Sequence, residues 1–468
     1  MKKNSILKAL GLTFAIVILL SWVIPAGTYT NGAYTATGST SPIGLYDFLR
    51  LPVLTLATFV QYGLFFLAIG GFYGVLNQTG VYSNLINNIV KKWNKKKKSF
   101  LIITILTFIM LTSLTGLSNV MFILVPFFAT ILLKLGYDKI TSFTSTVGAI
   151  LLGNVGCTFG FEIWGYLKTY LNIEMTTLIF ARIVVLIMIS ILMILFLIKN
   201  TKEVKKSKDE EVLLPLYEEV KSKKSSVPFI VISVLTFILL MVGGYNWYYA
   251  FDIEFFTELY NSVSAIQIGG KTIISDILAL NNAPMIGFFE NYDITIILVF
   301  ISLIMGWIYN VKFNDIVSGF ANGAKKMLLP ATYATLSCVI FATVLNSSGG
   351  HFINTIINKF IGTEGFSFMG TVGSSIVTSF VYNDFSSMLS SIYTIFTSYD
   401  ANVIPVVAFI IQGIFGLISL IAPTSIILVA GLSLMDISYK EWIKYIYKFA
   451  LIIFGILIVV AFILTTLI

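Results

Sequence analysis

Charge is what this chain of 468 residues has least of. Only 11% of its residues are Asp, Glu, Lys or Arg, against about 25% in soluble proteins. That scarcity excludes a soluble protein. Cysteine is nearly absent too. Cys157 and Cys338 are the only two, and both fall in apolar segments, which excludes a disulfide framework or a cysteine metal site. One histidine, His351, cannot build a metal centre by itself. Arginine occurs only as Arg50 and Arg182. Membrane-embedded enzymes usually cluster His, Asp or Arg, so the chain does not read as an enzyme. There is no Walker motif, so ATP is not the energy source. No polar stretch between apolar runs is long enough for a separate catalytic domain.

What is abundant is apolar. Hydrophobic residues make up 57% of the chain, and the mean hydropathy is +0.92. The apolar segments are solid runs of Ile, Leu, Phe and Val rather than alternating strands, which argues for spanning helices and against an outer-membrane barrel. The reading is an all-α polytopic membrane protein with about 10 to 12 membrane segments. The formal charge of +8 lies largely beside those segments, so it marks orientation in a lipid bilayer and not nucleic-acid binding. Met1 to Pro25 resembles a signal peptide but reads as a retained first span, with Lys2, Lys3 and Lys8 holding the N-terminus in the cytoplasm of a bacterial-type plasma membrane.

Two segments have two apolar arms joined at a polar point. Residues 100–135 join at Ser118-Asn119, and residues 366–397 at Tyr382-Asn383-Asp384. Each reads as a re-entrant hairpin or as two crossings. Two further segments carry helix breakers near their middle. Residues 141–171 contain Gly153 to Gly160, and residues 403–434 contain Ala422-Pro423-Thr424-Ser425. The order repeats along the chain. Val75-Leu76-Asn77-Gln78-Thr79-Gly80 matches Val344-Leu345-Asn346-Ser347-Ser348-Gly349, and an amphipathic helix, a two-armed segment and a broken span follow each. Joint and break are 39 residues apart from Asn119 to Thr158, and 40 from Asp384 to Thr424.

Lysine clusters place the first amphipathic helix inside and the second outside, so the repeats read as inverted. The division is 1–198 for the first repeat, 199–226 for a solvated cytoplasmic linker, 227–293 for a linking span with an external insertion, and 294–468 for the second repeat. Inverted repeats with broken helices mark secondary transporters, with the substrate site where the breaks meet.

Several stretches resemble the YfcC family, which belongs with the anaerobic C4-dicarboxylate carriers and basic amino acid antiporters of the ion transporter superfamily. They are Ile24-Pro25-Ala26-Gly27-Thr28-Tyr29, Gly70-Gly71-Phe72-Tyr73-Gly74 running on to Gly80, Leu135-Gly136-Tyr137-Asp138, and Pro423-Thr424-Ser425 followed by Trp442. The insertion from Tyr245 to Tyr292 lies outside the resemblance. The resemblance implies two re-entrant hairpins facing two unwound helices, a homodimer, and elevator-like movement. Many members carry an acidic pair where this chain has Ser118-Asn119. Many carry Pro-Ser-Gly-Ser-Gly where it has Val381 to Ser387. Both departures sit at expected substrate contacts.

The candidate site residues are therefore Ser118, Asn119, Asn154, Thr158, Glu162, Asn383, Asp384, Thr424 and Ser425. Amides and hydroxyls both donate and accept, which suits a zwitterion. Glu162 and Asp384 stand inside apolar segments, where a charge costs roughly 2.5–3.5 kcal/mol and usually serves function. No Lys or Arg falls at a break. The substrate expectation is accordingly an amino acid, foremost arginine, ornithine or lysine, by exchange or ion-coupled symport. A C4-dicarboxylate or other organic anion, or a small peptide, is the alternative. No cofactor is expected beyond coupling Na⁺ or H⁺, with Na⁺ placed near Asn119 and Asp384.

Overall fold

The computed structural model describes residues 4–30, 33–201, 214–220, 222–280, 282–346, 351–361, 365–396 and 399–467. Residues 202–213 of the linker, and Ser347 to Gly349 of the repeated motif, lie outside these. The described chain is mostly helical. Eight helices are long and apolar enough to cross a membrane: Ser5–Val23, Val60–Thr79, Val81–Thr115, Ile179–Asn200, Val227–Gly244, Asn291–Ile308, Leu328–Leu345 and Tyr439–Thr466. Many of their apolar side chains face outward, as a lipid environment requires. On Ile179–Asn200, for example, Val184, Ile187, Ile191 and Leu195 are exposed. The only β-structure with named strands among the described residues is the antiparallel pair Gly27–Thr30 and Ala33–Ala36. It docks on the helix Phe352–Ile361, where Thr355 donates to the Pro25 carbonyl at 2.6 Å and Asn354 to that of Gly27 at 3.0 Å.

The shorter helices build the interior. Lys97–Thr115 and Ser118–Lys134 part at Gly116-Leu117, where Gly116 takes a φ of +77° that disfavours any side chain. Phe368–Val381 and Phe385–Phe396 part at Tyr382-Asn383-Asp384. At 1.5 Å per residue, those last two arms reach roughly 21 and 18 Å, too short to cross a ~30 Å hydrocarbon core. One interrupted span runs helical to Val155, loses its helix over 156–160, and resumes at Phe161 with a wide π-type turn. The other comprises Ile404–Ser419 and Ile426–Leu434, with 420–425 irregular between them.

Glycines set how closely these pieces approach. A Cβ on Gly416 would lie 2.4 Å from the Val155 nitrogen, so the two interrupted spans touch backbone to backbone beside the first break. Gly74 and Gly323 play the same part between Val60–Thr79 and Phe313–Lys326. A Cβ on Gly323 would come within 2.0 Å of the Gly70 carbonyl oxygen.

The linker departs from the solvated reading where it is described. Leu214, Leu216 and Tyr217 are buried. Asn77 donates to the Leu216 carbonyl at 2.7 Å and accepts from the Glu218 amide at 3.3 Å. Lys134 and Lys326 pair with Glu219 and Glu218 at 3.2 and 2.5 Å. The surrounding charge conceals a short apolar patch, Leu214 to Tyr217, which finds a groove.

Candidate substrate site

The breaks and joints converge on one cavity of about 440 Å³. Seven of the nine candidate residues line it: Ser118, Asn119, Asn154, Glu162, Asn383, Asp384 and Ser425. Asn154 donates to the Ser118 hydroxyl at 3.0 Å, tying the half-helix to the first joint. Asn119 donates to the Asn291 side-chain carbonyl at 2.9 Å. Asp384 accepts from the Ser387 amide at 2.7 Å and so caps the helix Phe385–Phe396. Glu162 sits in the π-type turn after the first break with its side chain open to the cavity. Ser425 begins Ile426–Leu434. Three helix N-termini, at Ser118, Phe385 and Ile426, therefore open on this space.

The other two candidates sit behind the breaks and do not line the cavity. Thr158 is buried, with its hydroxyl 3.1 Å from that of Ser113 and its amide donating to the Ser113 carbonyl at 2.9 Å. Thr424 is buried and donates to the Phe380 carbonyl at 2.9 Å. Both hydroxyls satisfy local backbone, as Ser and Thr commonly do where helices end.

A family model described as C4-dicarboxylate anaerobic carrier matches residues 5–468. The chain belongs to this carrier family. It is thus a multi-pass membrane carrier of a small molecule, not an enzyme. No curated protein sequence matches it. Among solved structures it is similar to the YdaH transporter of Alcanivorax borkumensis, described as having an unusual topology. The two are 13% identical over 97% of each chain, with a TM-score of 0.36.

Several parts of the carrier's site could not be read from the linear chain. Gln61 and Tyr62, at the start of Val60–Thr79, line the cavity. So do Asn246, Glu290 and Asn291, which come from the insertion and its exit into the next helix. Behind the first break lies a positive charge. Arg182, fully buried, donates to the Thr158 carbonyl at 2.5 Å and to that of Met175, with its guanidinium 3.5 Å above the Trp164 ring. Gln412, from the other interrupted span, donates to the Val155 carbonyl at 2.7 Å and accepts from the Trp164 indole at 3.1 Å. A buried Gln and a lone Arg in apolar runs were the available signals. Neither says which carbonyls it would reach.

The cavity wall is chemically one-sided. Glu162, Asp384 and Glu290 line it, and no Lys, Arg or His is among its described lining residues.

Proposed function

We propose that this carrier moves amino acids with a cationic side chain, such as arginine, ornithine or lysine, by alternating access. The observation that carries the reading is the set of three carboxylates on a cavity wall without a lining cation. Such a wall attracts a positive group and repels a dianion. The helix N-termini at Ser118, Phe385 and Ile426 offer the substrate carboxylate a complementary pole. A volume of about 440 Å³ lies in the range of small-molecule sites. The proposal includes inverted repeats. Its support is the matching order of a parted helix pair and an interrupted span in each half, together with the lysine distribution. The N-terminus is assigned to the cytoplasm of a plasma membrane, and the functional unit to a homodimer. Exchange, or coupling to Na⁺ or H⁺ with Glu162 or Asp384 taking part, would drive the cycle.

A C4-dicarboxylate is the second reading, favoured by the family's description and by the same three helix N-termini. The deciding experiment is uptake into proteoliposomes over a panel of labelled arginine, ornithine, lysine, citrulline and succinate, with and without Na⁺ and pH gradients. Saturable arginine or lysine uptake supports the reading. Succinate uptake with no basic amino acid uptake sinks it.

A further inference from the structure

The 245–293 segment, which reads in the sequence as an external insertion, is built into the cavity wall. The Gly243 carbonyl, at the end of the span Val227–Gly244, accepts from both Gly287 and Phe289, at 2.8 and 2.9 Å. Gly287 makes this turn with a φ of +103°, where a Cβ would also crowd the Tyr245 carbonyl oxygen at 3.2 Å. At its other end the segment reaches the first break. Tyr245 donates to the Phe159 carbonyl at 2.6 Å, and Lys168 pairs with Asp252 at 3.1 Å. This bracing aims Glu290 and Asn291 at the cavity. Glu290 also takes part in a capping box. Its carboxylate accepts from the Asp293 amide, and its own amide donates to the Asp293 carboxylate at 2.8 Å. The N-terminal pole of Asn291–Ile308 favours a negative charge there.

We propose that Glu290 makes the 245–293 segment a specificity element of the transport site, with its fixed carboxylate setting which substrate charge the cavity accepts. Glu162 and Asp384 come from the interrupted span and the parted helix pair, whereas Glu290 comes from a separate part of the chain. This inference rests on the cationic-substrate reading for its preferred ligand, an amino acid with a terminal cation. The charge effect itself has a sign that holds for any substrate.

The test uses full-length protein in proteoliposomes and compares the wild type with Glu290→Gln, Glu290→Ser and Glu290→Asp. Serine retains a helix cap without the charge, so at least one neutral variant should stay folded. Arginine and citrulline are near-isosteres that differ in charge, and their competition ratio is the readout. Both neutral variants should reduce the preference for arginine over citrulline about tenfold. Glu290→Asp should keep the wild-type preference. An unchanged ratio in the neutral variants overturns the inference. If the wild type carries succinate and not arginine, the cationic-substrate reading has failed, and Glu290 is judged on succinate. There, a KM about tenfold lower in the neutral variants sustains it, and an unchanged KM overturns it.

Discussion

The two interrupted spans solve one problem with different chemistry. Unwound backbone inside a membrane protein must find donors for its carbonyls. At the first break a charged donor stands beside neutral ones: the Arg182 guanidinium holds Thr158, the Ser113 hydroxyl Gly156 and the Tyr245 hydroxyl Phe159. At the second, the donors are neutral and spread over several elements. The Trp442 indole reaches the Leu420 carbonyl at 2.8 Å, the Tyr439 hydroxyl that of Ile421, and the Asn383 amide that of Thr424. A charged donor is strong, but one substitution removes it. Distributed neutral donors are weaker and lose little when one goes.

The sharpest way to break this comparison is Arg182→Met. It strips a charged donor from two carbonyls, and such bonds are worth about 1.5–3 kcal/mol each. We expect little folded protein by size-exclusion chromatography, with partial recovery in Arg182→Lys. Trp442→Phe, which removes one neutral bond, should leave a folded carrier with a lowered Tm. If both variants unfold at the same temperature, the distinction between a charged and a neutral donor is wrong.

The carboxylates differ in a parallel way. Asp384 is already engaged as a helix cap through the Ser387 amide, whereas Glu162 has no hydrogen bond recorded among the described residues. A carboxylate without a protein partner is freer to bind substrate or a coupling proton. Glu162→Gln should therefore lower kcat/KM by about 100-fold, the loss expected when one member of a buried charge contact is removed. Asp384→Asn retains the cap, because Asn caps helices as well as Asp does. Its expected loss is about tenfold, one charge among three at the wall. The reverse order in an uptake assay would show that the cap position carries the essential charge.

How far the linear chain discloses this site follows from what kind of signal each part leaves. Helix interruptions are local. Gly156 and Gly160, or Pro423 and Thr424, declare themselves, and irregular backbone occurs at 156–160 and 420–425. Intramembrane acids such as Glu162 and Asp384 declare themselves by cost. Long-range partners leave no such trace. Arg182 is 24 residues from the Thr158 carbonyl, and Gln412 is 257 from Val155. Glu290 sits in a segment that looked like an external insertion. Nor does an unwound stretch have a period from which to deduce a facing direction. Ser425 lines the cavity while Thr424 beside it does not.

That last pair supports the smallest and most discriminating prediction. Thr158 and Thr424 occupy corresponding places in the two breaks, and each hydroxyl serves backbone or a neighbouring hydroxyl behind the cavity. Valine keeps the shape and removes the hydroxyl, so Thr158→Val and Thr424→Val should each cost about 1 kcal/mol of stability. Neither should move KM, since neither side chain lines the site. Ser118→Ala and Ser425→Ala remove hydroxyls of similar worth from lining positions, so they should raise KM at similar cost in Tm. Measuring Tm and KM for all four variants separates a hydroxyl that holds the break from one that meets the substrate. A raised KM in Thr158→Val alone would mean that the first break rearranges on binding and turns this hydroxyl inward, with the Arg182 contact to the Thr158 carbonyl as its pivot.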